Sequence, residues 1–130
     1  RAAVDAQEIA GEQAARTFLS IGFSDKFQKK DYEGALPYFE TALQFATEAH
    51  TQGMAHYFIG FVLYDRGLKT QAPSTAASAR EALPIFQKAL DHFQKSRPYS
   101  ENNQQAKLQD WLNNTQQYIE IQEALIKRGR

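Results

Sequence analysis

One pattern occurs twice in this chain and constrains its fold more than anything else in it. Ala35-Leu36-Pro37-Tyr38-Phe39-Glu40-Thr41-Ala42-Leu43 returns about 47 positions later as Ala82-Leu83-Pro84-Ile85-Phe86-Gln87-Lys88-Ala89-Leu90, so that Ala-Leu-Pro-x-Phe-x-x-Ala-Leu is shared. A second echo precedes each copy: Ser20-Ile21-Gly22-Phe23 and Phe58-Ile59-Gly60-Phe61, about 38 positions apart. Two linked echoes in the same order imply a duplicated two-element unit. Such a unit cannot bury its apolar face alone and is stabilised by stacking on its neighbour.

The elements read as helices. Tyr32, Ala35, Leu36, Phe39, Ala42, Leu43 and Ala46 follow three- and four-residue spacing, as do Ala79, Ala82, Leu83, Phe86, Ala89, Leu90 and Phe93. Each set forms one apolar stripe. Asp31 is placed as an N-cap, and Ser78 with Glu81 reads as a capping box. Pro37 and Pro84 then fall past the first turn, where each removes a backbone hydrogen bond and bends its helix slightly. Residues from about Val4 to Lys29 hold no proline and are rich in Ala, Gln and Glu, which favours a helix. Residues from about Gln52 to Arg66 carry Ala55, Ile59, Val62 and Leu63 on one side, with Gly67 as a stop. Leu68 to Ala77, with Pro73 and small polar residues, reads as a mobile insertion loop. After a break at Arg97-Pro98-Tyr99, a last helix is expected from near Ser100. Leu108, Trp111, Leu112, Thr115, Tyr118, Ile119, Gln122, Leu125 and Ile126 keep its spacing, and Lys127, Arg128 and Gly129 suit its end.

Charge and composition narrow the function. Lys plus Arg number 15 and Asp plus Glu number 15, so the net charge is zero. A binder of phosphate backbones carries a basic excess, so the balance argues against nucleic acid or an anionic membrane as the dedicated partner. There is no cysteine, hence no disulfide, thiolate metal site or cysteine nucleophile. No apolar run approaches the roughly 18 residues of a membrane span. The chain opens at Arg1, and a trimmed fragment or processed product in a cytoplasmic setting is the expectation.

A helical pair carrying Ala-Leu-x-x-Phe-x-x-Ala-Leu on its second helix resembles the tetratricopeptide repeat. That family has Leu-Gly on the first helix and Gly-Asp-Tyr-x-x-Ala near the turn. Ile21-Gly22 and Ile59-Gly60 resemble the first, and Lys30-Asp31-Tyr32-x-x-Ala35 the second. The resemblance covers about residues 16 to 95, two repeats. Residues 100 to 128 resemble a third first-helix extended into a polar cap. It implies one all-α domain over 1–130, of antiparallel hairpins stacked as a short right-handed superhelix. The first hairpin spans about 5–50 and the second 51–97 with its insertion loop at 68–77; the capping helix is 100–128. The spacings exceed the usual period of about 34 residues. One extra residue between Gly22 and Asp31 puts Asp25 where a core aromatic is expected. His56 stands where the family often has Trp.

The resemblance also implies a function: binding of a protein or peptide in a concave groove lined by first helices. The matching positions are Leu19, Phe23, Tyr57, Phe61, Tyr64, Asp110 and Asn114. Rigid aromatic side chains offer large contact area at low entropy cost. The opposing reading packs these rings between repeats. One branch of the family clamps the terminal carboxylate of chaperones with Lys and Asn, but Leu19, Phe23, Tyr57 and Phe61 occupy the corresponding positions. An apolar or amphipathic ligand is implied instead. The alternatives are a homodimer formed through the last helix, or a domain of the microtubule-interacting-and-trafficking type, which residues 79 to 126 loosely resemble. No cofactor is expected. His50, His56 and His92 show no metal-binding spacing, and no phosphate loop or nucleophile elbow suggests an enzyme.

Overall fold

The structure, a computed structural model, describes residues 2–101 and 105–129. Among these it is entirely helical, without strands. The order is α1 (Ala2–Ile21), continued by a π-helical turn (Gly22–Phe27), α2 (Tyr32–Phe45), α3 (Ala49–Gln71), α4 (Ala76–Lys95), a short α5 (Arg97–Ser100) and α6 (Gln105–Arg128). Helix α1 packs on α2, α2 on α3, α3 on α4 and α4 on α6, with α5 against α3.

The expected stripes are the core. Ala35, Phe39 and Ala42 of α2 are fully buried, and so are Ala82, Phe86, Ala89 and Phe93 of α4. Asp31 caps α2 as expected, its carboxylate accepting from the Gly34 amide at 3.0 Å. Pro37 and Pro84 lie inside α2 and α4, which both run on past them.

Helix α3 is the central element. It is buried on nearly every face, from Thr51 through Gly67. Its glycines Gly53, Gly60 and Gly67 recur every seven residues, one side of a helix. Each lies under an aromatic residue. A Cβ on Gly67 would meet the Phe86 ring at 2.7 Å, one on Gly60 the Phe93 ring at 2.9 Å, and one on Gly53 the Tyr99 backbone nitrogen at 2.7 Å. The α3–α4 seam thus seats the Phe86 and Phe93 rings on bare helix backbone, and Gly53 lets the backbone of α5 approach in the same way. In the first hairpin Gly22 does the same, with a Cβ there meeting Tyr38 Cβ at 2.8 Å and the Phe39 ring at 3.0 Å.

Several boundaries differ from the sequence expectation. The loop expected over 68–77 is short, because α3 continues to Gln71 and α4 starts at Ala76. Gly67 does not stop α3; it is buried in its interior under Phe86. The capping box is real but shifted. Thr75 is the N-cap and Ser78 the third helical residue, with the Ser78 amide donating to Thr75 Oγ1 at 3.1 Å and the Thr75 amide to Ser78 Oγ at 3.0 Å. Glu81 takes no part and is exposed. Arg97-Pro98-Tyr99 is not a plain break but starts α5, with proline at a helix start, where its missing N–H costs nothing. Of the last helix expected from Ser100, residues 102–104 lie outside the described residues.

The extra residue before Asp31 has a clear fate. The Gln28 amide donates to Phe23 O at 2.8 Å, a bond that reaches back five residues instead of four, and the Asp31 and Lys30 amides then close the helix as a Schellman cap on Lys26 O and Phe27 O, at 2.9 Å each. Such a π turn absorbs one inserted residue within a helix. Asp25 consequently points to solvent. Phe27 turns inward in its stead, packing its ring on Phe23, Tyr32, Phe39, Phe58 and Phe61. Lys30 ends the turn with φ 64°, the left-handed conformation that glycine adopts freely.

Candidate functional site

Helices α1, α3 and α6 border two grooves that meet at Phe23. The first, of about 520 Å³, is lined by Arg16, Leu19, Ser20, Phe23, Ser24, His50, Thr51 and Met54. The second, of about 580 Å³, has a floor of Phe23, Phe27, Tyr57, Phe58, Phe61, Tyr99 and Trp111, and a rim of Lys107, Asp110 and Asn114 on α6. Together they make one trough from α1 across α3 to α6.

Large rings hold the trough open. Phe61 and Tyr64 of α3 meet Trp111 of α6 edge-on, at centroid distances of 5.3 and 5.2 Å. Tyr64 also meets Tyr118 at 5.7 Å. Rings of this size bridge two helices whose backbones stay apart. Trp111 is fixed twice: its ring stacks on Phe93 at 5.8 Å, and its Nε1–H donates to the Tyr57 hydroxyl at 2.9 Å. That bond uses the hydroxyl as an acceptor. Burial pushes the Tyr57 hydroxyl above its ordinary pKa, against the opposing effect of the Trp111 bond.

Of the seven residues singled out from the sequence, six line the trough. Phe23, Tyr57, Phe61, Asp110 and Asn114 surround the second groove and Leu19 the first. Tyr64 lines neither; it is buried among Phe86, Trp111 and Tyr118. Leu19 and Tyr57 are buried as well, Phe23 and Phe61 are half-buried, and Asp110 and Asn114 are exposed. The residues divide by burial: Leu19, Tyr57 and Tyr64 are interior, while half-buried Phe23 and Phe61 and the α6 rim reach the surface. Phe27, Tyr99 and Lys107 were not foreseen. Phe27 enters only through the π turn, and Tyr99 through the short helix α5.

A polar clamp braces one end of the trough. Glu12 is buried, yet its carboxylate accepts from the Thr47 and Glu48 amides at 3.0 Å each, from the Thr51 hydroxyl, and from Arg16 Nε at 2.8 Å. It ties α1 to the start of α3, where a helix presents unpaired amides. Burial alone would raise its pKa. The bonds from Thr51, Glu48, Arg16 and Thr47 together outweigh that and hold it at about 2.

Two histidines distant in sequence also meet. His56 of α3 and His92 of α4 face each other with their Nδ1 atoms 2.9 Å apart. Burial, and then the neighbouring His56, push His92 down to about 4; burial, and then Lys95, lower His56.

No family model, curated protein or solved structure matches the chain. No helix among the described residues is long and apolar enough to cross a membrane.

Proposed function

We propose that this chain is a protein-interaction module whose trough holds a short amphipathic segment of another protein. In this reading the hairpins α1–α2 and α3–α4, capped by α6, form a short right-handed superhelix of tetratricopeptide type. Helices α1, α3 and α6 are then the first helices that line its concave side. The supporting observation is the make-up of the second groove. Half-buried Phe23, Phe27, Phe61, Tyr99 and Trp111 line it beside the Tyr57 hydroxyl, which accepts from Trp111, beneath a rim where Lys107, Asp110 and Asn114 are exposed.

Apolar floors with a few convergent polar groups are the usual composition of binding grooves. The rings supply desolvated area to an apolar anchor of the partner. The rim on α6, with one cation and one anion a helical turn apart, matches a ligand that is polar along one edge. The outer face of α6 argues against a self-association seam there. It carries Gln109, Asn113, Gln116, Gln117, Glu120 and Glu123, with Ile121 its one large exposed hydrophobic residue.

The test is selection of binders from a random displayed-peptide library with the wild-type chain, followed by a counter-screen with Asp110→Lys/Asn114→Arg. Both positions are exposed, so the variant keeps its helical content and unfolding midpoint. The reading requires that selected peptides share spaced apolar anchors and lose affinity for the variant. Peptides that bind both proteins equally would move the site elsewhere.

A further inference from the structure

The docking reading makes no use of the histidine pair, which lines neither of the two grooves. His56 of α3 and His92 of α4 are both half-buried, and their Nδ1 atoms are 2.9 Å apart across the α3–α4 seam. That is an ordinary hydrogen-bond length. One neutral ring donates through Nδ1–H and the other accepts at Nδ1, so the two are opposite tautomers. The residues that follow them, Tyr57 and Phe93, are buried with ring centroids 6.0 Å apart. Both hold Trp111: the Tyr57 hydroxyl accepts from its Nε1–H at 2.9 Å, and Phe93 stacks on its ring at 5.8 Å.

The bond admits one added proton and not two. The donating ring keeps a lone pair on Nε2, and a first proton there leaves the bond intact. The accepting ring already carries hydrogen on Nε2, so a second proton has only its Nδ1 to go to. Two Nδ1–H groups then face each other and neither can accept, on two cationic rings whose centroids are 5.1 Å apart. We propose that the His56–His92 pair is an acid-opened latch on the α3–α4 seam. Closed, it holds Tyr57 and Phe93 in register beneath Trp111. Doubly protonated, it parts and loosens the Tyr57–Trp111 corner of the second groove.

The surroundings keep the pair neutral until the medium is acid. Burial lowers both rings from 6.5, and the neighbouring His56 adds to the lowering of His92, which falls to about 4. His56 therefore charges first and His92 second. Among the described residues, the charged groups that act on the rings all lie on α4. Asp91 favours protonation, while Lys95 opposes it at both rings and Lys88 at His92. Asp91 is exposed and paired with Lys95 at 3.0 Å, so it does not neutralise two added charges. No described charged group of α1, α2, α5 or α6 acts on either ring. The unfolded chain takes up both protons near 6.5, the folded chain only at lower pH. The pair's contribution to stability is thus complete above 6.5 and is lost as pH falls from there to about 4.

The latch is independent of what the trough binds, and its test uses no ligand. Urea unfolding of the whole chain at about pH 7 and about pH 4.5 is compared with that of His56→Gln/His92→Gln, whose side-chain amides can share a hydrogen bond but take up no proton. Groups elsewhere titrate alike in both proteins, so the difference belongs to the pair. On acidification the folding equilibrium constant of the wild type is expected to fall at least ~10-fold further than that of the variant. Equal losses overturn the latch. Ring-nitrogen NMR of the wild type decides if the variant does not fold. It is expected to show one ring protonated on Nδ1 and the other on Nε2 at neutral pH, and the Trp111 Nε1–H signal moving in step with the second ring protonation. Two rings of the same tautomer, or a Trp111 signal indifferent to that step, each overturn it.

Discussion

The two hairpins carry the same nine-residue pattern and are held together by different means. In α3–α4, Gly60 and Gly67 lie under the Phe93 and Phe86 rings, and Gly53, seven residues earlier, lies under the backbone of α5. In α1–α2 Gly22 plays this part under the Phe39 ring, and Gly11 approaches the Phe45 backbone, where a Cβ would meet Phe45 O at 3.0 Å. Beside its apolar seam of Ala15, Leu19, Phe39 and the Phe18–Phe45 stack, that hairpin carries the Asp31 cap, the Glu12 clamp onto the start of α3, and a π turn that takes up an inserted residue. The first ten residues of α1 that are described, up to Gly11, are exposed or at most half-buried, whereas α3 is buried throughout its middle. Close packing of rigid surfaces tolerates little change. Polar caps and a π turn accommodate an extra residue at modest cost. The second hairpin is thus the rigid half of the molecule and the first the adaptable half.

The contrast is sharpest at the glycines. Gly67→Val drives a branched side chain into the fully buried Phe86 ring and is expected to cost about 3 kcal/mol. Gly22→Val, beside the adjustable π turn, is expected to cost at least ~1 kcal/mol less. Urea unfolding of both variants measures the gap. Equal losses would remove the distinction between the hairpins.

The Glu12 clamp offers a smaller effect with a pH signature. Its carboxyl is lowered from 4.5 to about 2 in the folded chain. A depressed carboxylate contributes stability above its unfolded pKa and loses it as pH falls through the folded value. Glu12→Gln should therefore cost on the order of 2 kcal/mol near neutral pH. Its deficit against wild type should shrink between about pH 4.5 and 2, as the wild-type carboxyl protonates. A deficit independent of pH would mean that the clamp acts by shape, not by charge.

Two milder changes probe the adaptable half. Deleting Asp25 converts the π turn to ordinary α-helix and should shift stability by no more than ~1 kcal/mol, with thermal unfolding still cooperative. Loss of the fold would show that the turn is required for closure and does not merely absorb a residue. Lys30→Gly relieves a positive φ of 64° and should stabilise by about 0.5–1 kcal/mol, read as a raised unfolding midpoint.

How far the sequence could be read follows the same division. Helical spacing announced α2, α4 and α6 because their apolar residues face one way. It misplaced the end of α3, because a glycine that serves as a packing surface is indistinguishable in sequence from one that ends a helix. For the same reason the duplication is seen in a different register. The glycine that meets Phe86, the counterpart of Phe39, is Gly67, while Gly60 meets Phe93 one heptad away. Asp25 was conspicuous as an extra residue, but only backbone geometry reveals that a π turn removes it and brings Phe27 inward. At the site, the residues implied by the family resemblance were given without depth, so the buried Tyr57 and Tyr64 stood beside the half-buried Phe23 and Phe61. Glu12 gave no signal, since one glutamate in a helix rich in Ala, Gln and Glu looks like any solvated residue. His56 and His92 lie on different helices, and no local spacing links them.

Trp111 is the chain's only tryptophan and forms part of the trough floor, so its emission reports occupancy directly. The decisive measurement is titration of a library-selected peptide while Trp111 fluorescence is followed, in wild type and in Asp110→Lys/Asn114→Arg. Docking in the trough predicts a saturable change in the wild-type emission and at least ~10-fold weaker binding by the equally stable rim variant. Peptide binding that leaves Trp111 emission unchanged, with the same affinity in both proteins, would contradict the assignment of the trough as the binding surface.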